Sequence, residues 1–484
     1  MKYIIVFDDT VTKSELISDV IGNKGFAQVV VKRQTLLDRF TESIKKTYKD
    51  AEIMYVSAKY EFNALLDSLP NGSLAKVCHV FANYIISDEE KAALTFEKLQ
   101  FVEDTLAINL EDSIAAVMFG SVAEYIDSIK NIIGDDINST EYFGKNVVKK
   151  TCIEGLTDIS EINNFIQCIS GNFDARYFNS LKGNQYTIVK SSTNKNKIKA
   201  EYTFWHLLPE DMQSWFVEPF NYMEDESQAS YTMERLHMTD LAIKWVHGSI
   251  DEEEFEQILD KYFYFFGQRH SKDISVDDYK KVADNLYVDK VLSRVEELKK
   301  LPQFEAMAQL LSVNNQMTLD DIVKKYISLK EKLESQITQK NISVIGHGDP
   351  CFANTMYNKS TRTLKFIDPK GALTEEELWT NPYYDIAKLS HSICGRYDFF
   401  NNALFEITIN DDFNTELSID FDNKNYIDLF KKKLEENGYD YSLTRLYEAS
   451  LFISMLPLHI DNPRKVYGFI LNAVNILEEI EKNV

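Results

Sequence analysis

The chain is short of cysteine, of long apolar runs and of basic charge, and each shortage removes a class of function. Its five cysteines, Cys78, Cys152, Cys168, Cys351 and Cys394, include no CxxC pair. No His/Cys cluster has zinc spacing either, so the thiols fit a reducing compartment rather than a disulfide or zinc scaffold. The first apolar run, in MKYIIVFDDTVTKSELI, is broken at once by Asp8 and Asp9. No signal peptide or membrane span is expected, and the location is read as cytoplasmic. Lysine plus arginine total 53 against 76 acidic residues, a net charge of −23. That deficit argues against nucleic acid or an anionic membrane as the main partner, because counterion release needs a basic surface. It suits either a cationic substrate or simply a wet acidic surface.

At 484 residues the chain is too long for one typical core, so two to three domains are expected. Residues 1–133 alternate apolar runs at 3–7, 27–31 and 53–56 with a helical pattern at 36–46, which reads as a small α/β unit. The polar, turn-rich stretch 134–140 marks its boundary. Three short strands are read at 165–170, 175–178 and 185–189. Such strand-turn-strand pieces can lay backbone N–H groups over phosphates, with Gly171 as the turn. Lys190 ends the third strand, and Glu201 lies near the start of a helix containing Tyr202, Trp205 and Leu208. Between 239 and 340 the pattern is helical; Thr318 reads as an N-cap, and the acidic run 251–256 as a solvated helix face.

Residues 344–371, VIGHGDPCFANTMYNKSTRTLKFIDPKG, carry the most chemistry. Asp349 follows an apolar strand, Asn354 comes five residues later, and Asp368 follows a second apolar run. Val344-Ile345 and residues 364–367 read as strands with 357–361 as the turn between them, a hairpin that returns Asp368 towards Asn354. Phosphoryl transfer from a nucleoside triphosphate to a hydroxyl works mainly by positioning and charge neutralisation. It needs oxygen ligands for Mg²⁺ beside one carboxylate that receives the acceptor's proton. Cys351 has no neighbouring base in sequence, and no nucleophilic role is expected of it.

HGDPCFAN followed by FIDPKG resembles the catalytic segment of the aminoglycoside phosphotransferase and choline kinase superfamily. The resemblance implies an α+β chain with a bilobal protein-kinase-like fold, a small β-rich lobe and a large helical lobe, preceded by the small α/β domain. The expected divisions are 1–140, 141–236 and 237–484. Carried over residue by residue, Asp349 is the catalytic base, Asn354 and Asp368 hold the metal, and His347 supports the loop. Lys190 contacts the nucleotide phosphates and is held by Glu201. Backbone groups around Glu234 and Leu236 read the adenine edge. Asp385, in PYYDIAKL, braces the catalytic loop or else is a helix N-terminal acid. His459, Asp461 and Asn462 either face the acceptor or form a helix-helix turn.

ATP and Mg²⁺ are the implied cofactors, and the acceptor is a small hydroxyl compound: an amino alcohol, a sugar destined for a surface polysaccharide, or an aminoglycoside. Tyr262–Phe266 and Tyr383-Tyr384 would either cage a quaternary ammonium or serve the core. A scaffold that keeps the fold without turnover is the alternative. In the first domain, Asp8-Asp9-Thr10 resembles the nucleophile motif of Asp-dependent phosphatases but has Thr10 where their second Asp stands. Residues 25–46 resemble sugar nucleotidyltransferases without the glycine-rich loop, so a degenerate or structural domain is expected, with a nucleotide-sugar activity as the other reading.

Overall fold

The computed structural model describes residues 2–31, 33–70, 75–110, 113–152, 154–170, 179–184, 186–315 and 317–483. The protein is a mixed α+β chain of two compact units, Met1–Phe173 with His247–Ser249, and Asp174–Val246 with Ile250–Val484.

The first unit is built on β1 (Lys2–Asp8), β2 (Glu52–Val56), β3 (Ala75–Phe81), β4 (Leu106–Leu110), β5 (Ser113–Phe119) and β6 (Lys150–Cys152), in the order β2-β1-β3-β5-β4-β6. β1 runs parallel to both neighbours, and Ile4, Ile5, Val6 and Phe7 are all buried, as a parallel strand covered on both faces requires. The pattern at 36–46 becomes helix α1 (Leu36–Thr47), opened by a capping box between Thr35 and Asp38.

Three sequence readings are corrected in this unit. The stretch 134–140 is not a boundary: α2 (Ser139–Asn146) starts within it, Ser139 donates its hydroxyl to the buried Asp8 carboxylate, and β6 then joins the sheet beside β4. Residues 165–170 are not a strand but the end of α3 (Ile162–Ser170). Ile162, Phe165, Ile166 and Ile169 recur at i, i+3, i+4 and i+7, a helical period hidden when the run is read from Phe165 onward. Residues 27–31 hold only a two-residue strand, Val30–Val31, after the 3₁₀ turn Phe26–Gln28.

Asp8 and Asp9 are consumed internally. Asp8 sits 2.9 Å from His79 Nε2 and accepts the Thr10 N–H, with no exposed surface. Burial raises its pKa, but the bonds and charge of His79 outweigh this and hold it below the ordinary carboxylate value. Asp9 accepts the N–H groups of Phe26 at 2.8 Å and Ala27 at 3.1 Å and the Tyr55 hydroxyl at 3.1 Å. Neither carboxylate is placed as a phosphatase nucleophile would be.

The second unit starts with an antiparallel sheet of β7 (Asn179–Gly183), β8 (Thr187–Ser192), β9 (Pro219–Glu224) and β10 (Ala229–Glu234), in the order β7-β8-β10-β9. Helix α4 (Lys195–Leu207) follows β8 and packs on β10. The third strand therefore lies at 187–192 rather than 185–189, with Lys190 in its interior; the expected strand at 175–178 and Gly171 lie outside the described residues.

The rest of the unit is largely helical. It includes α5 (Glu252–Gln268), α6 (Leu319–Gln336) with Thr318 as its N-cap, α7 (Pro382–Ile393), α8 (Tyr441–Met455) and α9 (Pro463–Asn483). The run 251–256 is not wholly solvated: Glu254 is buried and paired with buried Lys244, because the apolar face of α5 rotates that position inward. A short strand at 271–273 also interrupts the helical stretch. Among the described residues no helix is long and apolar enough to cross a membrane, and the five cysteines are free thiols.

Candidate active site

The stretch 344–371 is delivered by β11 (Ser271–Asp273), β12 (Ile342–Ile345), β13 (Thr355–Asn358), β14 (Thr363–Phe366) and β15 (Trp379–Thr380). The predicted hairpin exists, but its first strand is β13 rather than β12, which pairs instead with β11 and β15. Thr355–Asn358 was hidden in the sequence because its four residues are too few to show a period and include Asn358. The consequence for Asp368 is as expected: the Ile367 N–H donates to the Asn354 carbonyl at 3.0 Å, stitching the two loops together.

His347 joins the same two loops. Its Nε2 bonds the Ile367 carbonyl at 3.0 Å, which can only accept, and its Nδ1 faces the Asp349 N–H at 3.0 Å, which can only donate. Those partners fix the neutral Nε2–H tautomer. Burial likewise holds its pKa below the ordinary imidazole value, against the pull of Asp385, Asp349 and Asp368. The Phe216 ring stacks on it at 5.7 Å.

Asp385, at the start of α7, is fully buried and accepts the N–H groups of His347 at 3.0 Å and Gly348 at 2.8 Å. It also receives Arg269 Nη1 at 3.2 Å. Arg269 was not read from the sequence. It is buried, and its remaining nitrogens donate to the carbonyls of Phe266 and Pro382 and the hydroxyl of Tyr439. Gly348 has φ +84°, and a Cβ there would lie 2.5 Å from the Lys370 Cβ, so the loop turns where only glycine fits.

Asp349 presents a carboxylate that is 40% exposed, with Lys388 Nζ 3.0 Å from Oδ1. Lys388 was also missed. Its one sequence signal is its place three residues after Asp385, on the same face of α7. Asn354 donates its carboxamide N–H to the Asp349 carbonyl at 2.9 Å, which directs the other end of the amide, an oxygen, away from that bond. Cys351 is buried and its thiol is pushed well above the ordinary value by burial and then by the Asp349 charge, so it is no nucleophile.

Lys190 is buried and bridges Glu201 at 2.7 Å and Asp368 at 2.8 Å. Burial alone would lower its pKa, but Asp368 and Glu201 together raise it, so the ammonium is retained. Glu201 is itself buried and receives the Tyr231 hydroxyl at 3.1 Å. Of the competing lysines, Lys195 lies 3.8 Å from Glu224, and the more exposed Lys197 lies 3.6 Å from the other carboxylate oxygen of Glu201. Asp368 has φ 55°, a left-handed conformation that Asp tolerates better than most residues. Gly371 has φ +88° and packs so close to α4 that a Cβ would lie 2.7 Å from the Ala200 carbonyl carbon, which draws the Asp368 loop against the helix bearing Glu201.

Asn354 and Asp368 are hard oxygen ligands and fit Mg²⁺, which keeps several waters and substrate phosphates rather than demanding an all-protein cage. Among the described residues no group of three or more His, Cys, Asp or Glu is placed to hold a metal ion. Glu234 is exposed and Leu236 half-buried at the end of β10, where the Arg235 N–H bonds the Tyr186 carbonyl at 2.9 Å.

Other candidates have core duties. Tyr262 bonds Thr355, Tyr383 accepts the Asp440 N–H and Tyr384 receives Lys290, so these buried tyrosines form no open cage. Asn462 caps the start of α9 through the Lys465 N–H, and the His459 ring stands edge-on to Phe469 at 5.4 Å, the helix-helix turn. A cavity of about 620 Å³ lined by Asn410, Asn414, Glu416 and Glu478 contains none of the predicted site residues.

No protein-family model and no curated protein matches the chain. Similar solved structures include aminoglycoside phosphotransferase APH(4)-Ia in a ternary complex with ADP and hygromycin B, at 11% identity and TM-score 0.37, covering 65% of this chain and 97% of that one. The same enzyme with AMP-PNP and hygromycin B gives 11% identity and TM-score 0.37, covering 66% and 97%. The streptomycin-ATP-APH(2")-IIa ternary complex gives 12% identity and TM-score 0.32, covering 64% and 97%. The chain is similar to these aminoglycoside phosphotransferases at a distance too great to lend it their activity, which leaves function to its own side chains.

Proposed function

We propose that the second unit is an ATP-dependent phosphotransferase of bilobal protein-kinase-like fold, with a β-rich lobe up to about residue 236 and a helical lobe after it, acting on an alcohol group of a small molecule. The observation that carries the reading is the convergence of two segments far apart in sequence: Lys190 with Glu201, and the stretch holding Asp349, Asn354 and Asp368, the last of which Lys190 meets at 2.8 Å.

Asp349 accepts the proton of the acceptor hydroxyl as the oxygen attacks the γ-phosphorus. His347 stays neutral and spends both nitrogens on the backbone, so it orients the loop and carries no proton. Lys190, fixed by Glu201, donates to the α- and β-phosphates, and a fixed anion is what gives a flexible ammonium one position. Backbone groups at Glu234 and Leu236 meet the adenine edge. Asn354 and Asp368 would hold Mg²⁺, whose charge, when it is bound, offsets that of the phosphates. The acceptor is an amino alcohol, a sugar or an aminoglycoside, and an ATP-rich, reducing cytoplasm suits both nucleotide and thiols.

The test is ADP release from Mg²⁺-ATP across a panel of amino alcohols, sugars and aminoglycosides. Wild type should turn over at least one, and Asp349→Asn should bind nucleotide yet lose about 10²–10⁴-fold in rate, the usual worth of a general base. An Asn variant as fast as wild type would remove Asp349 from the chemistry.

A further inference from the structure

Helix α7 touches the catalytic loop at three successive points. Asp385 takes the N–H groups of His347 and Gly348, Lys388 meets the Asp349 carboxylate at 3.0 Å, and the Ser392 hydroxyl accepts the Phe352 N–H at 3.0 Å. Positions 385, 388 and 392 are spaced i, i+3 and i+7, so their side chains form one stripe along one face. The stripe and the loop run in the same direction, residue 347 facing 385 and residue 352 facing 392. Every residue of α7 is buried, which denies the helix freedom to slide or rotate.

Only the middle contact reaches a reacting group. Two of the three hold the loop backbone, whereas Lys388 grips the side chain assigned as base. Its stem is buried among the packed residues of α7 and its side chain is only 11% exposed, so the ammonium has little room to swing away. An aspartate has two side-chain torsions and, when 40% exposed, would otherwise sample several orientations. One carboxylate oxygen tied to a buried ammonium leaves the rotamer fixed.

We propose that Lys388 is a positioning residue for the phosphoryl transfer: by holding Oδ1 of Asp349 it sets the carboxylate's direction towards the acceptor hydroxyl. This rests on the reading of Asp349 as the base. The ion pair of Lys388 is with Asp349, whereas that of the nucleotide residue Lys190 is with Glu201 and Asp368, so the loss of Lys388 should slow turnover without weakening nucleotide binding. Arginine can reach a carboxylate with the same charge and should restore part of what an uncharged residue loses.

The experiment measures ADP release from Mg²⁺-ATP, with water and with any acceptor found active, for wild type, Asp349→Asn, Lys388→Met and Lys388→Arg. Lys388→Met should lower kcat about 10–100-fold, a fraction of the full general-base effect, with KM for ATP within about twofold; Lys388→Arg should recover part of the loss. Lys388→Gln serves in place of Lys388→Met if the latter fails to fold, as read by thermal melting. A Lys388→Met enzyme with wild-type kcat, or one whose defect is confined to KM for ATP, overturns the proposal while an inactive Asp349→Asn leaves the kinase reading standing. If Asp349→Asn matches wild type, or wild type releases no ADP with any acceptor, the reading of the site falls and this inference with it.

Discussion

Replacing Asp385 with asparagine should damage the second unit by removing a charge that three donors depend on. The carboxylate receives two main-chain N–H groups and one guanidinium N–H at 2.8–3.2 Å, with neither Asp385 nor Arg269 exposed. An asparagine of the same shape has one acceptor oxygen, so its NH₂ group must face a donor. It also leaves the Arg269 charge buried without its anion. Breaking a buried ion pair at one partner costs about 3–5 kcal/mol. A loss of that size should lower the melting midpoint on the order of 10 °C, at roughly 2–4 °C per kcal/mol for a large domain. All four tryptophans, Trp205, Trp215, Trp245 and Trp379, lie in the second unit, so urea unfolding followed by tryptophan fluorescence reports on it directly. The double variant Asp385→Asn with Arg269→Met should cost less than the sum of the singles, because it leaves no orphaned charge. A single-variant cost below about 1 kcal/mol, or full additivity, would refute the assignment of Asp385 as counter-ion and loop brace.

Lys190→Met should abolish the rise in melting temperature that Mg²⁺-ATP gives wild type; pairing it with Glu201→Gln should restore part of the unliganded stability, since Glu201 is then no longer a buried anion without its cation, but not the nucleotide effect. Burial pushes Asp398 up to about 7, against the relief given by the Ser392 hydroxyl. The folded carboxyl therefore keeps a proton that the unfolded one releases near pH 4, and its contribution to stability is lost as pH rises from there through about 7. Asp398→Asn should thus gain in urea midpoint relative to wild type at pH 8 compared with pH 5, and an equal difference at both pH values would contradict the assignment. In the first unit the Phe26 and Ala27 amides that could cradle a phosphate already donate to Asp9. Calorimetric titration of the full chain with CTP or UTP, after saturation with Mg²⁺-AMP-PNP, should give no further binding heat, and a saturable signal would revive a nucleotide-sugar role.

The parts of the site that were legible from sequence are those whose chemistry fixes both residue type and local spacing. Asp349, Asn354 and Asp368 lie within twenty residues of one another between apolar runs, so spacing and type single them out, whereas Lys190 was chosen from the resemblance and the apolar run before it. Arg269 left no such trace: it precedes a three-residue strand in a stretch read as helical, and it meets Asp385 across 116 positions of chain. The errors at 165–170 and in the hairpin have one cause, since a run of four to six residues carries too few apolar positions to separate a period of 3.6 from a period of 2.

Lys388 falls between these cases. Its spacing from Asp385 was visible, but i, i+3 spacing only states that two side chains share a face, not what that face meets. That knowledge requires the loop to lie along the helix in register, and the register is set by β12 pairing with β15, whose chain leads directly into α7. The strand pair therefore fixes where Asp349 begins and where Lys388 ends. A change that shifts this register, such as a one-residue insertion beside the buried Asn381 between Thr380 and Pro382, should separate Asp349 from Lys388 and lower activity even with every site residue retained.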